Sequence, residues 1–345
     1  MLEIREKVPL AAYTTLRVGG PARWFAEVSS EEELFEALRW ADARGADVFL
    51  LGGGSNVLIS DVGFNGLVVH MNVRGLQVDD SEFTVAAGEG WDEFVGQTVT
   101  RGFGGIECLS GIPGTCGAAP IQNIGAYGQE VAETIVAVRC YDRRERSVVT
   151  LSNAECGFAY RRSIFNSTEL GRYIVLAVTF ALTGEVAPAV RYADLQRYFA
   201  ENPNPTLQQV RDGVIAVRAS KGMVIREEDA DSRSAGSFFK NPIITTMKYE
   251  GMKSKLAGCA VFPAGDGKVK LSAAWLIEHA GFARGTTEGN VGISSKHTLA
   301  LVNRGGATAE ELLAFARRVQ DAVEERFEVR LNPEPVMVGF GVLAC

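Results

Sequence analysis

Long apolar runs are missing from this 345-residue chain, and no stretch approaches the ~18 consecutive apolar residues of a membrane span. The opening residues, Met1-Leu2-Glu3-Ile4-Arg5-Glu6-Lys7, mix charges and lack the apolar core of a signal peptide. Cysteine is sparse and scattered (Cys108, Cys116, Cys140, Cys156, Cys259, Cys345). No C-x-x-C pair occurs, which argues against a zinc ribbon or a thioredoxin-type motif. Reduced, packed thiols in a cytoplasmic protein are the expectation. The three histidines, His70, His279 and His297, form no H-E-x-x-H, and no G-x-S-x-G elbow exists. A zinc enzyme and a Ser-His-Asp hydrolase are therefore set aside, and no metal is expected. Cations are in deficit, 35 Lys and Arg against 42 Asp and Glu. That balance counts against a nucleic-acid partner held through a basic surface.

Glycine is in surplus: 38 residues, about 11% where ~7% is usual. At ~150 residues per domain, the length suggests two or three domains. Ser30 and Glu33 form a capping box before a helix with Leu34, Ala37, Leu38 and Ala41 on one face; apolar strands at 47–51 and 66–71 follow. Short strands at 83–87, 136–141, 147–150 and 173–182 then surround a helix at 91–100 and an aperiodic segment at 109–128. A loop of that length inside a domain is usually functional. A helical segment at 192–199 lies in a connection marked by Pro188, Pro203 and Pro205. Helices at 207–220, 272–280 and 309–327 and a strand at 297–302 complete the pattern. The last helix has a capping box, Thr308 with Glu311, and an apolar stripe. The acidic run 226–233 reads as a solvated loop. The expected division is 1–72, 73–184, a connection 185–207, a third unit 208–330 and a tail 331–345 whose end packs back on the first unit.

The surplus glycine concentrates in two places. Gly52, Gly53, Gly54, Ser55 and Asn56 follow an apolar strand, where successive small residues can turn several N–H groups toward an anion. Val57 breaks the G-x-G-x-x-G fingerprint and no G-K-[ST] follows, so a tight turn between strands remains an alternative. Gly111, Ile112, Pro113, Gly114 and Gly117 permit close approach of a flat or phosphorylated ligand, with Gln122, Asn123 and Tyr127 as polar groups nearby. Two such loops suit a dinucleotide, and composition does not say which.

Seven blocks, 14–20, 51–58, 111–114, 123–128, 160–165, 235–242 and 331–334, run in order across nearly the whole chain. Together they closely resemble the UDP-N-acetylenolpyruvoylglucosamine reductase (MurB) family, in its longer-looped (type I) subclass. The resemblance implies an α+β fold: a two-subdomain FAD-binding unit of the vanillyl-alcohol-oxidase (PCMH) type at 1–72 and 73–184, plus a separate α+β substrate-binding domain. It implies non-covalent FAD on Gly52, Gly53, Gly54, Ser55, Asn56, Gly111, Ile112, Pro113, Gly114, Gly117, Asn123, Gly125 and Tyr127. NADPH is the implied co-substrate. The implied reaction reduces UDP-N-acetylglucosamine enolpyruvate to UDP-N-acetylmuramate in peptidoglycan precursor synthesis, by a monomer without membrane insertion.

Hydride addition to an enol ether that bears a carboxylate builds negative charge, so the site needs a clamp on the carboxylate and a proton donor. On the family pattern Arg161, directly after Tyr160, is the clamp, a role its planar fork suits. Ser237 is the proton donor and Glu334 the third catalytic residue, while Tyr160, Tyr192, Lys221 and Asn241 face the substrate. Without the motifs, Arg161 would read as a surface ion pair, Ser237 as a cap, Glu334 as a turn carboxylate and Tyr192 as packing.

The chain departs from the pattern in three ways: the fifteen residues between Lys221 and Ser237, Pro335 after Glu334, and Cys116 in the glycine loop. Cys116 is expected as packing, not as a flavin attachment. An FAD-dependent oxidase of the same fold would have no place for the 235–242 block or Glu334. A non-catalytic nucleotide-binding relative would be expected to lose Arg161, Ser237 or Glu334.

Overall fold

The computed structural model describes residues 2–184, 188 and 190–341. Two compact units divide the chain. The first holds residues up to Val8, Ala22–Gly54 and Asn65–Ser220; the second holds Pro9–Pro21, Ser55–Phe64 and the chain from Lys221. This differs from the division read from the sequence: the expected 73–184 unit joins the first, and the described part of the expected tail joins the third. Residues 9–21 and 55–64 leave the expected first unit, and the helix at 207–220 leaves the expected third. Cys345 and the end of the expected tail lie outside the described residues.

In the first unit, the strands Arg5–Pro9, Pro21–Val28, Phe64–Met71 and Val48–Leu51 form one sheet in that order. Its last pair is parallel, with Val48 opposite Leu67. Helix α1 (Glu31–Asp42) starts where Ser30 accepts from the Glu33 N–H and Glu33 accepts from the Ser29 N–H. Its buried face, Leu34, Ala37, Leu38 and Ala41, meets Ala26, Val28, Leu67 and Val69 of the sheet. A second, antiparallel sheet orders Ser147–Ser152, Ile135–Asp142, Tyr173–Ala181, Glu82–Ala86 and Leu76–Asp79. Helix α2 (Trp91–Thr100) lays Trp91 and Phe94 against Phe180, with ring centroids 5.9 and 5.2 Å apart.

Helices α3 (Ala193–Tyr198) and α4 (Leu207–Ser220) pack together in the same unit. A Cβ on Gly213 of α4 would sit 2.6 Å from the Phe199 ring, so glycine permits the close approach. Leu195, Phe199, Val210 and Val214 form a small core with Cys108 and Tyr127. This cluster of apolar contacts explains why α4 belongs here and not with the residues that follow it.

The second unit contains α5 (Thr246–Met252), α6 (Ala273–His279) and α7 (Ala309–Phe327), with two three-stranded antiparallel sheets. The stripe Leu312, Phe315, Ala316, Val319 and Val323 of α7 is buried in the core of this unit. Both α7 start signals are present: the Thr308–Glu311 capping box, and Asp61, whose carboxylate accepts from the N–H groups of Ala309 and Glu310 at 2.8 and 2.9 Å. Within the expected tail, Val336–Val338 forms a strand that runs parallel to Val57–Ile59. The strand expected at 297–302 is confined to Leu301–Asn303, because 294–300 is taken up by a turn in which the Ser294 N–H donates to Ala300 O at 2.8 Å and Ser294 Oγ accepts from the Lys296 and His297 N–H groups at 3.0 and 3.2 Å.

The acidic run 226–233 is solvated only in part: Arg226, Glu227, Glu228 and Arg233 are exposed, whereas Asp229 and Asp231 are drawn inward. Asp231 is 4% exposed and accepts from Arg304 Nη1 at 2.7 Å and from Ser295 Oγ at 2.5 Å, while Asp229 pairs with Lys296 at 2.7 Å. Burial pushes the Asp231 carboxyl up, but the bonds from Ser295 and the Arg304 charge outweigh it and hold it below the usual carboxylate range. Its stabilising contribution is therefore complete above the unfolded value of about 4 and is lost as pH falls through the lower folded value. Asp231→Asn should cost about 2–4 kcal/mol at neutral pH, since it strands a partly buried arginine. The difference from wild type should shrink on acidification below pH of about 4. Urea titrations at neutral and acid pH check both; an equal loss at every pH would contradict the ion-pair account.

Candidate active site

The two glycine loops meet in the first unit. A Cβ on Gly53 would lie 2.7 Å from the Gly114 Cα, and one on Gly52 would lie 2.7 Å from Thr115 Oγ1. Only a backbone without side chains fits there, which leaves amide groups of both loops lining one place. Gly117 abuts Ala87 in the same way, at 2.5 Å from its Cβ. The loop is anchored by the Trp91 N–H on Gly114 O at 3.0 Å and by the Cys116 N–H on Glu89 O at 2.8 Å. Such a cradle of exposed amides fits a pyrophosphate. Cys116 is fully buried, and burial pushes its thiol well above its ordinary value. A thiol held neutral is a packing group, not a nucleophile.

Asn123 and Tyr127 have positive φ (46° and 49°), and so does Arg161 (52°). Left-handed backbone is unfavourable for tyrosine and arginine and persists where neighbours enforce it. Asn123 does so with its side chain: Nδ2 donates to Glu130 Oε2 (2.8 Å) and Ala159 O (3.1 Å), and Oδ1 accepts from the Ala132 N–H (3.1 Å). That amide is therefore a brace of the loop. What Asn123 offers outward is its backbone.

Arg161 sits at a tight turn closed by paired backbone bonds between Ala159 and Arg162. Its Nη2 donates to Gly125 O at 2.7 Å and its Nη1 to Asn123 O at 3.4 Å, while the guanidinium lies 5.6 Å from the Tyr160 ring centroid. These two carbonyl acceptors fix where the guanidinium lies. Arg162, its neighbour, is exposed. Tyr127 is buried, its phenol pushed up to about 12 by that burial, and its ring meets that of Tyr192 edge-on at 5.5 Å. Tyr192, at the head of α3, is 45% exposed.

Ser237 and Glu334 are neighbours within the second unit although nearly a hundred residues separate them. The Glu334 N–H donates to Phe238 O at 2.9 Å, and the Lys240 N–H donates to Asn332 O at 3.0 Å. Ser237 follows Gly236 (φ 68°) and is half-buried, with Phe238 and Phe239 fully buried beyond it. Among the described residues, no hydrogen bond engages its hydroxyl. Asn56 brackets the other side: its Nδ2 donates to Glu334 O at 3.3 Å, and its own carbonyl accepts from the Val336 N–H at 2.9 Å. Pro335, which lacks an N–H, falls between the two donors the ladder uses, so no bond is lost there. Asn56, expected at the cofactor, is thus also the residue that positions Glu334.

Asn241 uses Oδ1 to accept from the Ala273 N–H at 2.9 Å, which fixes its amide at the start of α6. Lys221 opens the second unit beside Gly222, where a Cβ would come within 3.0 Å of Asp231. The residues added between Lys221 and Ser237 are those of the folded acidic segment. Sequence reasoning missed Thr115, Glu130 and Asp92, which brace the loops; a mid-helix glycine at 96 was the available signal for the last.

Residues 228–338 match the family described as UDP-N-acetylenolpyruvoylglucosamine reductase, C-terminal domain, and residues 22–152 match an FAD binding domain. The UDP-N-acetylenolpyruvoylglucosamine reductase of Streptomyces coelicolor is 49% identical over 343 residues, covering 96% of this chain and 89% of that protein. This chain belongs to the UDP-N-acetylenolpyruvoylglucosamine reductase family. The reductase of Thermobifida fusca is 48% identical, covering 96% of this chain and 97% of that one. The structure of the reductase (MurB) from Thermus caldophilus aligns over 98% of this chain and 99% of its own, at TM-score 0.68 and 26% identity. A 6-hydroxy-D-nicotine oxidase structure shares the fold at TM-score 0.54 and 15% identity, over 97% of this chain and 88% of its own. The α+β fold with an FAD-binding unit is thus that of the reductase family, and the family is one of FAD-dependent oxidoreductases.

FAD would be held at the two glycine loops, whose fit is the cradle that any Cβ would fill. Gly53→Ala is expected to push the loops apart and weaken FAD binding more than tenfold. The flavin-to-protein absorbance ratio after purification checks it; a wild-type ratio would remove the loops from the flavin site.

Proposed function

We propose that this chain reduces the enolpyruvyl double bond of UDP-N-acetylglucosamine enolpyruvate to give UDP-N-acetylmuramate, with NADPH as electron donor, for peptidoglycan precursor synthesis. Bound FAD supplies the relay of hydride from NADPH to C3 of the enolpyruvyl group. Arg161, whose guanidinium is oriented by the Gly125 and Asn123 carbonyls, binds the substrate carboxylate and stabilises the charge that develops as hydride arrives. Ser237 holds the proton that is delivered to C2. One hydride and one proton thus add across the double bond. Glu334, placed beside Ser237 through Phe238, assists at the same carboxylate.

What supports the reading is the backbone pairing of 238–240 with 332–334, which makes the segment that follows Ser237 a neighbour of the segment that carries Glu334. Lys221 and Asn241 contact the nucleotide part, and Tyr192 closes over it from the α3 segment, as in the longer-looped subclass. The protein works as a cytoplasmic monomer.

The test is a two-step mixing experiment. NADPH should bleach the flavin of the holoenzyme, and UDP-N-acetylglucosamine enolpyruvate should restore its colour rapidly under anaerobic conditions. Restoration by oxygen alone, with no effect of that substrate, would favour an oxidase.

A further inference from the structure

We propose that Asp92 and Arg211 form a positioning pair that sets the 109–114 turn for flavin, and that Gly96 is glycine to admit it. The turn is held at both ends by the start of α2: the Trp91 N–H donates to Gly114 O and Trp91 Nε1 to Leu109 O, each at 3.0 Å. Between them the Asp92 Oδ1 accepts from the Gly111 N–H at 2.6 Å. Gly111 (φ 70°) and Gly114 (φ 126°) are both in conformations that a side chain would oppose, so the turn depends on such outside bonds.

Asp92 is in turn gripped by Arg211 of α4, Nη1 to Oδ1 at 2.6 Å and Nη2 to Oδ2 at 2.8 Å. This is a two-point fork from an arginine side chain 14% exposed to a carboxylate 38% exposed, the strong form of the interaction. Burial pushes the Asp92 carboxyl up, but the bonds from Arg211 and Gly111 outweigh it and keep it ionised at neutral pH.

Gly96 supplies an independent observation. It stands one helical turn after Asp92, on the same face of α2. A Cβ there would lie 3.2, 3.4 and 3.6 Å from Nη2, Cζ and Nε of Arg211, so the guanidinium lies across the helix at that position. Glycine inside a helix is unfavourable, and here the space it leaves is filled by the fork. Arg211 lies between the two matched domains, which end at residue 152 and resume at 228. A helix that the sequence reading assigns to the third unit thus works as part of the flavin-binding unit. Arg218, two turns further along α4, is buried, and that burial pulls its guanidinium below its ordinary value.

The inference rests on the reading of 111–127 as a flavin loop, and one titration separates the two. Deflavinated protein is titrated with FAD, following quenching of flavin fluorescence, while melting of the apoprotein is recorded alongside. Arg211→Met should raise the FAD Kd about tenfold, and Arg211→Lys, which retains the charge but not the fork, should recover only part of that loss. Gly96→Ala should raise Kd about threefold even though alanine favours the helix, and it keeps both charges should Arg211→Met fail to fold. A Kd within twofold of wild type for the folded variants, with only the melting temperature lowered, would overturn the proposal. Gly53→Ala is the control: if it too leaves Kd unchanged, it is the loop reading that fails.

Discussion

Ser237→Ala should slow reoxidation of the reduced enzyme by substrate about 10²–10⁴-fold, the usual contribution of a placed proton donor. Reduction by NADPH should change far less, because that half-reaction uses no proton at C2. The structure makes the variant clean. Ser237 is half-buried between the turn at Gly236 and the buried Phe238 and Phe239, and its hydroxyl makes no hydrogen bond among the described residues. Stability should therefore shift by no more than about 0.5 kcal/mol. Stopped-flow absorbance of the flavin, one half-reaction at a time, measures the effect. A loss smaller than tenfold would assign the proton to another group, and Ser237→Cys, which keeps a donor, should recover part of the rate.

Arg161→Met should reduce kcat about 10²–10³-fold and also raise the substrate KM, because the same guanidinium meets the carboxylate before and during hydride transfer. Arg161→Lys should recover only part, since one ammonium cannot reproduce a fork that also spans Gly125 O and Asn123 O. The backbone strengthens the case. A turn residue at φ 52° is ordinarily glycine or asparagine, so arginine there runs against local preference, which is expected where function dictates the residue. Steady-state kinetics with varied substrate decide the matter. An unchanged KM together with wild-type kcat would return Arg161 to the role of loop brace.

Much of this could be read from the residues. α1 and α7 announce themselves by capping boxes and a 3.6-residue stripe, and α4 falls at the predicted bounds. The glycine loops stood out by composition, and their mutual contact at Gly53 and Gly114 gives that composition a geometric cause. What escaped was everything decided by distant partners. The 226–233 run reads as solvated because its neighbours in sequence are charged; Lys296 and Arg304, which draw Asp229 and Asp231 inward, come more than sixty residues later. The unit borders were missed for the same reason. Nothing local in 55–64 says that Val57–Ile59 will pair with Val336–Val338, or that Asp61 will cap α7. Asn123 was recognised as important, yet periodicity has no means of showing that its amide would be spent on Glu130 and Ala159.

The chain passes between its two units five times, after residues 8, 21, 54, 64 and 220. On a ribosome adding about 5–20 residues per second, Val57–Ile59 emerges some 15–55 s before its partner strand Val336–Val338. The strand must wait through that interval with an unpaired edge, and the second unit cannot close until residues 336–338 have emerged. A translation product truncated anywhere before residue 336 would therefore leave that edge exposed, a target for chaperones or for self-association.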